Sequence, residues 1–459
     1  MAERFFLRTF GCQMNQHDAQ KITNLLHHQG LRPASGVEDA DVIVLHTCSV
    51  REKAEQKLYS ELGVLGRLKA SRPGLILGVG GCVAQQEGPG LLERFPALDF
   101  VFGPQNLRHL PSMVESARSR ERVLRVDEEE DRLLRFELPE RHPEYTSPTP
   151  GRAFVTVMEG CDLFCAFCVV PRTRGREISR PADAILLEVE SDARRGVVEV
   201  TLLGQTVNAY GRPRPGQVAG ECSFADLVRR VADVDGIERV RFTSPHPAFV
   251  SEDLVRCYAE LPELCPHLHL PVQSGSTRVL RAMNRRYDRE TYLDLVGRLR
   301  SARPDLALTT DLIVGFPGET REDFEETLSL IREADFVDSF SFKYSPRPGT
   351  PAVRRGLPPI DPEESQSRLE ELQVLQRALT VRAHAARVGS RTRILIEGPS
   401  RRGAEQRMGR CPHNRVVNVS GPRPLEAGRF VEVDIVGATA HSLLGQPVSA
   451  TAELELQVL

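Results

Sequence analysis

The chain has 459 residues, 40% hydrophobic and 27% charged, with a formal net charge of −3. That length asks for two or three domains, and a near-neutral balance means that any attraction to nucleic acid must rest on local charge. No apolar run approaches the roughly eighteen residues of a membrane span and no signal-peptide segment opens the chain. A cytoplasmic location with no membrane partner is therefore expected, in which the ten cysteines read as ligands or core thiols rather than disulfides.

Arg4 to Thr9 reads as a strand that ends at Phe10-Gly11-Cys12, and His17 to Gln29 follows with apolar residues at helical spacing. Val42 to Leu45 is a second strand, ending near Cys48, with a helical pattern from Lys53 to Lys69. Leu75 to Val79 is a third, ending at Gly80-Gly81-Cys82, and Asp99 to Phe102 a fourth before a helix from Asn106 onward. Alternating strands and helices predict a doubly wound parallel sheet over residues 1–120. In such a sheet the strand ends share one edge, where ligands bind. Cys12, Cys48 and Cys82 lie just past three of those ends, as a second three-thiolate site or as buried thiols. The Gly78-Val79-Gly80-Gly81 run fails the dinucleotide fingerprint, whose last glycine would fall at Val83.

Residues 121–150 shift to alternating charge and then to Pro, Thr and Ser, which reads as a linker. A second alternating region, 151–380, has strands at Arg152 to Met158, Val197 to Leu203, Val240 to Phe242, Leu268 to Leu270, Ala307 to Val314 and Ser339 to Lys343. Six βα units predict a partial (β/α)6 barrel, open on one side, rather than the closed barrel of eight. Asp361-Pro362 starts a long helix, and residues 381–459 carry short strands at Arg391 to Glu397, Val416 to Val419, Phe430 to Val436 and Glu453 to Val458, a small β-barrel. Between Arg382 and Arg429 eleven arginines face three acidic residues, Glu397, Glu405 and Glu426. A planar guanidinium suits phosphates and bases, so this tail reads as an RNA-binding surface or as a merely solvated basic one.

Chemistry concentrates at Gly160-Cys161-Asp162-Leu163-Phe164-Cys165-Ala166-Phe167-Cys168. Three thiols on one loop make no disulfide set, and zinc wants a fourth ligand that is usually part of a second Cys-x-x-Cys pair. Iron and sulfide fit best: three thiolates each take one iron of a cubane, and the fourth iron stays open. A structural or electron-transfer cluster, or three buried thiols, remain as alternatives.

The C-x-x-x-C-x-x-C spacing with Phe167 before the last cysteine resembles the cluster loop of radical S-adenosylmethionine (SAM) enzymes. Together with the three-cysteine N-terminal region and a TRAM-type C-terminal barrel, the whole chain is similar to the radical SAM methylthiotransferases. Gly11-Cys12-Gln13-Met14-Asn15, Thr47 to Ala54, Val169 to Glu177, Gly204 to Tyr210 and Tyr344 to Thr350 are similar to the branch that acts on tRNA. The sister branch, which modifies an aspartate of a ribosomal protein, usually has Pro-Lys where Gln13-Met14 stands. His46 departs from the family's more usual Asn.

The resemblance implies two 4Fe-4S clusters and two SAM molecules. Cys161, Cys165 and Cys168 would hold the cluster that cleaves SAM to a radical, and Cys12, Cys48 and Cys82 the auxiliary, sulfur-carrying one. The candidate SAM contacts are Phe167, Gln205, Ser244, Gln273, Asp311 and Gly315; those for RNA are Arg391, Arg393, Arg401, Arg402, Arg407 and Arg410. Implied partners are a tRNA anticodon stem-loop, an electron donor such as flavodoxin or ferredoxin, and a sulfur source, served by a monomer. The implied reaction adds a methylthio group at C2 of an isopentenylated adenosine beside the anticodon. Other substrates, or an RNA-binding iron–sulfur sensor without turnover, are the alternatives.

Overall fold

In the computed structural model of the chain, residues 3–49, 52–128, 132–143, 145, 147, 149–213, 222–401, 403, 406–421 and 425–448 are described. Strands β1 (Arg4–Phe10), β2 (Arg32–Pro33), β3 (Val42–Thr47), β4 (Ile76–Gly81), β5 (Phe100–Phe102) and β6 (Val123–Arg125) form one parallel sheet in the order β2-β1-β3-β4-β5-β6. Because side chains alternate across a strand, β3 feeds two cores. Val42 and Val44 pack with Ile22, Leu25 and Leu26 of the Gln13–His28 helix, and Ile43 and Leu45 with Leu58, Leu62 and Leu65 of the Glu52–Ser71 helix. On β4, side chains at Gly78 and Gly80 would run into the rings of Phe100 and Phe102.

The four predicted strands are present, and two more extend the sheet. β2 is two residues long, and β6 lies in the charged stretch expected to be a linker. That stretch is not simply solvated. Leu138 packs on the N-terminal core, Asn24 donates to the carbonyls of Pro139 (3.1 Å) and Glu140 (3.2 Å), and Arg135 is buried 3.7 Å from Glu159. The helix expected from Asn106 is a 3-10 segment, Pro104–His109, before an α-helix at Leu110–Arg118.

The second region contains β7 (Arg152–Thr156), β8 (Met158–Glu159), β9 (Ile178–Ser179), β10 (Glu199–Leu203), β11 (Arg239–Phe242), β12 (His267–His269), β13 (Ala307–Val314) and β14 (Asp338–Lys343). β7-β10-β11 and β12-β13-β14 are parallel triplets. A Val240–Leu264 bridge spans the gap between them, so six strands make an open arc with β7 and β14 at its edges, as the six predicted units require. Caps place the flanking helices: Ser223 and Thr320 each accept from the backbone N–H three residues on, and Asp226 and Asp323 reciprocate.

Asp361 caps the Pro362–Ala385 helix, which leads into β15 (Arg391–Pro399), β16 (Arg407–Arg410), β17 (Val416–Val419), β18 (Phe430–Ala438) and β19 (Leu443–Pro447). These close a barrel in the order β15-β16-β17-β19-β18 around Ile394, Ile396, Val417, Val433 and Ile435. β16 and β19 were not predicted, and the strand expected at Glu453 to Val458 lies outside the described residues.

The small barrel sits against the N-terminal ends of the β7, β10 and β11 strands. Glu199, 1% exposed, faces Arg152 (2.9 Å), Arg241 (3.2 Å) and Arg239 (3.6 Å). Arg241 then donates to the carbonyls of Cys411 (3.0 Å) and Pro412 (2.9 Å), and Arg239 to those of Arg410 (3.0 Å) and Arg393. Arg152 and Arg410 share Glu397.

Candidate active site

The loop after β8 is held at both ends. Gly160 has φ +78°, and a Cβ there would run into the Arg176 carbonyl; Cys161 N–H donates to Gly175 O (3.1 Å). At the far end Ala166 N–H donates to Met283 O (2.8 Å), Asn284 Nδ2 to the carbonyls of Leu163 (3.2 Å) and Phe164 (3.1 Å), and the buried Arg285 to Cys165 Sγ (3.4 Å). Thr206 Oγ1 lies 3.2 Å from Cys161 Sγ. Burial pushes the Cys161 thiol up to about 11 and Cys168 upward as well, each thiol discouraging its neighbours' ionisation. Such thiols become thiolates where a cation joins them, and N–H and O–H groups aimed at sulfur are how proteins tune iron–sulfur ligands. The donor set therefore fits a cluster.

Cys12, Cys48 and Cys82, 36 and 34 residues apart in sequence, meet at the exits of β1, β3 and β4. Cys12 and Cys48 Sγ are 4.0 Å apart. Gly11, at φ +134°, leaves the space into which its Cβ would strike Cys48 Cβ, and Gly81 at φ +102° does the same beside the Thr47 carbonyl. Into this corner comes Arg174 from the second region, 3% exposed, 2.6 Å from Asp18 Oδ2. The Cys12 thiol is brought down to about 6, first by the hydrogen bond with Cys48 and, against burial, by Arg174. Burial keeps Cys82 high despite Arg174. Burial would raise Asp18, but Arg174, His46 and Lys21 outweigh it and bring the carboxyl down to about 2. His46, 4.0 Å from Asp18, is held neutral by burial, down to about 4. Among the described residues no three His, Cys, Asp or Glu are placed to share one metal ion. In a cubane each thiolate binds its own iron, so that proximity is not required.

The expected SAM contacts lie around the C-terminal edge of the open barrel. Phe167 packs beside Cys161 and Cys165. Gln205 Oε1 accepts from Gly160 N–H, and its Nε2 is buried with no partner among the described residues. Ser244 (φ +61°) and Gln273 (φ +77°) sit past β11 and β12, in a conformation that costs a non-glycine residue about 1–3 kcal/mol and clusters at functional sites. Asp311 is 3.3 Å from His269 on the inner face. Gly315 differs from expectation: its N–H is engaged by Glu319 (2.6 Å) and its Cα faces Ser365.

The arginines of the tail are less free than their count suggests. Arg391 pairs with Asp434 (2.8 Å), Arg393 with Glu238, and Arg410 with Glu397 (3.0 Å). The first two pairs are exposed and weak, about 0–1 kcal/mol, whereas Glu397 is largely buried and shared with Arg152. Arg401 is exposed, Arg407 half-buried, and Arg402 lies outside the described residues, as do Val50 and Arg51 of the Cys48 motif. Arg174, Asp18, Asn284 and Arg285 were missed as site residues. Arg174 was within reach, inside the Val169 to Glu177 motif; no spacing signals Asn284 or Arg285.

A three-cysteine loop at the mouth of an open six-strand parallel barrel, backed by a small closed β-barrel, has the build of a radical SAM enzyme with an appended barrel module. Residues 155–331 match the radical SAM superfamily, 385–448 the TRAM domain and 4–103 the uncharacterized protein family UPF0004. The chain is 49% identical over 443 residues to a tRNA-2-methylthio-N(6)-dimethylallyladenosine synthase of Geobacter metallireducens, covering 96% of this chain and 97% of the relative. A synthase of the same name from Shewanella sp. strain MR-7 is 46% identical over 463 residues, covering 100% and 95%. The chain belongs to this methylthiotransferase family. In fold it is similar to the radical S-adenosylmethionine methyltransferase TsrM from Kitasatospora setae, with a TM-score of 0.56 at 13% identity, covering 82% of this chain and 89% of that one. No described helix is long and apolar enough to cross a membrane.

Proposed function

We propose that the chain converts N6-dimethylallyladenosine beside the tRNA anticodon into its 2-methylthio derivative. The observation that carries this is the convergence of two thiol triplets on one segment, Val170 to Arg176, in a chain alike over its whole length to synthases of that name. Cys161, Cys165 and Cys168 hold one 4Fe-4S cluster and Cys12, Cys48 and Cys82 the other. When bound, these groups and SAM supply the hydrogen-abstracting radical and the methylthio group. The chain's residues orient and shield. Arg285 and Thr206 fix two thiols of the loop, Arg174 balances charge at the N-terminal triplet, and Gln205 offers a buried amide donor at the barrel mouth.

Residues 1–120 form the auxiliary domain, 121–150 its connection, 151–380 the radical core and 381–459 the RNA-binding barrel. The arginines Arg391, Arg393, Arg401, Arg402, Arg407 and Arg410 grip the anticodon stem-loop. The enzyme acts as a cytoplasmic monomer, fed by a flavodoxin- or ferredoxin-type reductant and an external sulfur source. Anaerobic reconstitution should bind roughly eight irons per chain. Nucleosides of tRNA from a deletion strain should lack methylthio-adenosine; unchanged levels would remove this reading and favour another substrate.

A further inference from the structure

Three phenylalanines are exposed among the described residues, Phe164, Phe340 and Phe342, and two of them stand on one strand, β14. Aromatic rings left open on the edge strand of a sheet call for a partner. The face they occupy is set by register. On β13, Leu308, Thr310, Leu312 and Val314 are buried towards the helices, while Thr309, Asp311 and Ile313 are partly open on the other face. Phe340 pairs with Asp311 and Phe342 with Ile313, so both rings share that inner face. The opposite face of β14 is covered: Gln373 of the Pro362–Ala385 helix donates to Ser341 Oγ (3.4 Å). The Phe340 ring also meets His269 edge-on, at 5.9 Å between centroids, where His269 contacts Asp311.

Two further facts locate this surface between the small barrel and the cysteine loop. Ile313, the cross-strand neighbour of Phe342, packs in the same apolar group as Phe167, adjacent to Cys168. At the other end of β14, Arg415 of the small barrel donates to Val337 O (3.3 Å). The open edge of the arc thus runs from the RNA-binding-type module to the cluster loop, with both rings along it.

We propose that Phe340 and Phe342 form the seat for the dimethylallyl group of the target nucleotide, and so set the preference for an adenosine that already carries it; this rests on the function proposed above. The group is a branched five-carbon alkene with nothing to hydrogen-bond, and two rings on the inner wall remove it from water while the purine it hangs from points into the lumen. A base taken out of its stack is held in its pocket by stacking against aromatic and apolar side chains.

The test uses reconstituted full-length enzyme and two anticodon stem-loop RNAs, one with N6-dimethylallyladenosine at the target position and one with plain adenosine at the same place. Wild type should bind and turn over the dimethylallyl RNA about a hundredfold better, in line with apolar pockets that gain roughly ten- to two-hundredfold per methylene when burial is complete. Phe340→Ala with Phe342→Ala should cut the ratio of binding constants to a few-fold, and Phe340→Leu with Phe342→Leu should restore most of it. Iron content and thermal unfolding establish that each variant is folded, and the ratio is independent of the amount active. A folded double alanine variant that keeps the wild-type ratio overturns the proposal, as does one whose KM for SAM rises while the ratio stays, which would give the rings to SAM. If wild type forms no methylthio product on either RNA, the function reading itself has failed, and this separates the two.

Discussion

Replacing Glu199 by Gln removes the one carboxylate that two buried arginines, Arg239 and Arg241, and the partly buried Arg152 share under the small barrel. Burial alone would raise this carboxyl, yet Arg241, Arg152 and Arg239 bring it down from 4.5 to about 2. That gap of about two and a half pH units, at 1.36 kcal/mol each, makes the cluster worth about 3 kcal/mol at neutral pH. Breaking a buried pair from one side independently suggests about 3–5 kcal/mol, because the orphaned cations stay buried. The sign follows from the depressed value: the stabilisation is complete above the unfolded carboxyl's range near 4.5 and is lost as pH falls through it towards 2. Urea unfolding of both proteins, with hydrogen exchange read at Cys411 and Asn414, tests this. At pH 7 Glu199→Gln should cost about 3 kcal/mol and speed exchange at the seam, and the difference should shrink steadily as pH falls below about 4.5. A difference below about 1 kcal/mol at pH 7, or one that does not change with acid, would refute the argument that these charges hold the module in place.

Gly11→Ala forces a side chain into Cys48 at a φ of +134°, so reconstituted iron should fall from roughly eight to roughly four while SAM cleavage to 5′-deoxyadenosine continues; iron assay and product quantification check both halves. The converse is expected of Cys161→Ala with Cys165→Ala and Cys168→Ala, which should keep roughly four irons and form no 5′-deoxyadenosine. Arg174→Leu leaves Asp18 buried beside a neutral His46 and should destabilise the chain by about 3–5 kcal/mol. Its N-terminal iron should also be lost to a chelator sooner than that of the wild type, a difference that a timed absorbance decay would register.

The parallel architecture was legible because strands such as Val42-Ile43-Val44-Leu45 are apolar at every position, which only a sheet covered on both faces requires. Position relative to those strands was enough to group Cys12, Cys48 and Cys82. The strands that escaped notice, Arg32–Pro33, Val123–Arg125, Arg407–Arg410 and Leu443–Pro447, are short, and several are rich in charge or glycine. Their pairing comes from neighbours rather than from any periodicity of their own. Side-chain partners were harder still. Arg391, Arg393 and Arg410 counted as free charge in the sequence, whereas Asp434, Glu238 and Glu397, brought in from 13 to 155 residues away, neutralise much of it in space. Asn284 and Arg285 reach the cysteine loop across 120 residues, a distance no local pattern reports.

The Arg174–Asp18 contact has a consequence for how the chain can be divided. The guanidinium belongs to the stretch that immediately follows Cys168, while the carboxylate it satisfies sits in the first helix, so each half supplies what the other lacks. An amino-terminal fragment made by itself would leave that acid with only Lys21 and a neutral His46 near it, and a fragment beginning near residue 150 would leave the cation without its hydrogen-bonded carboxylate. The protein is therefore a poor candidate for splitting or for grafting its first region onto another radical enzyme, unless the arginine-bearing turn travels with it.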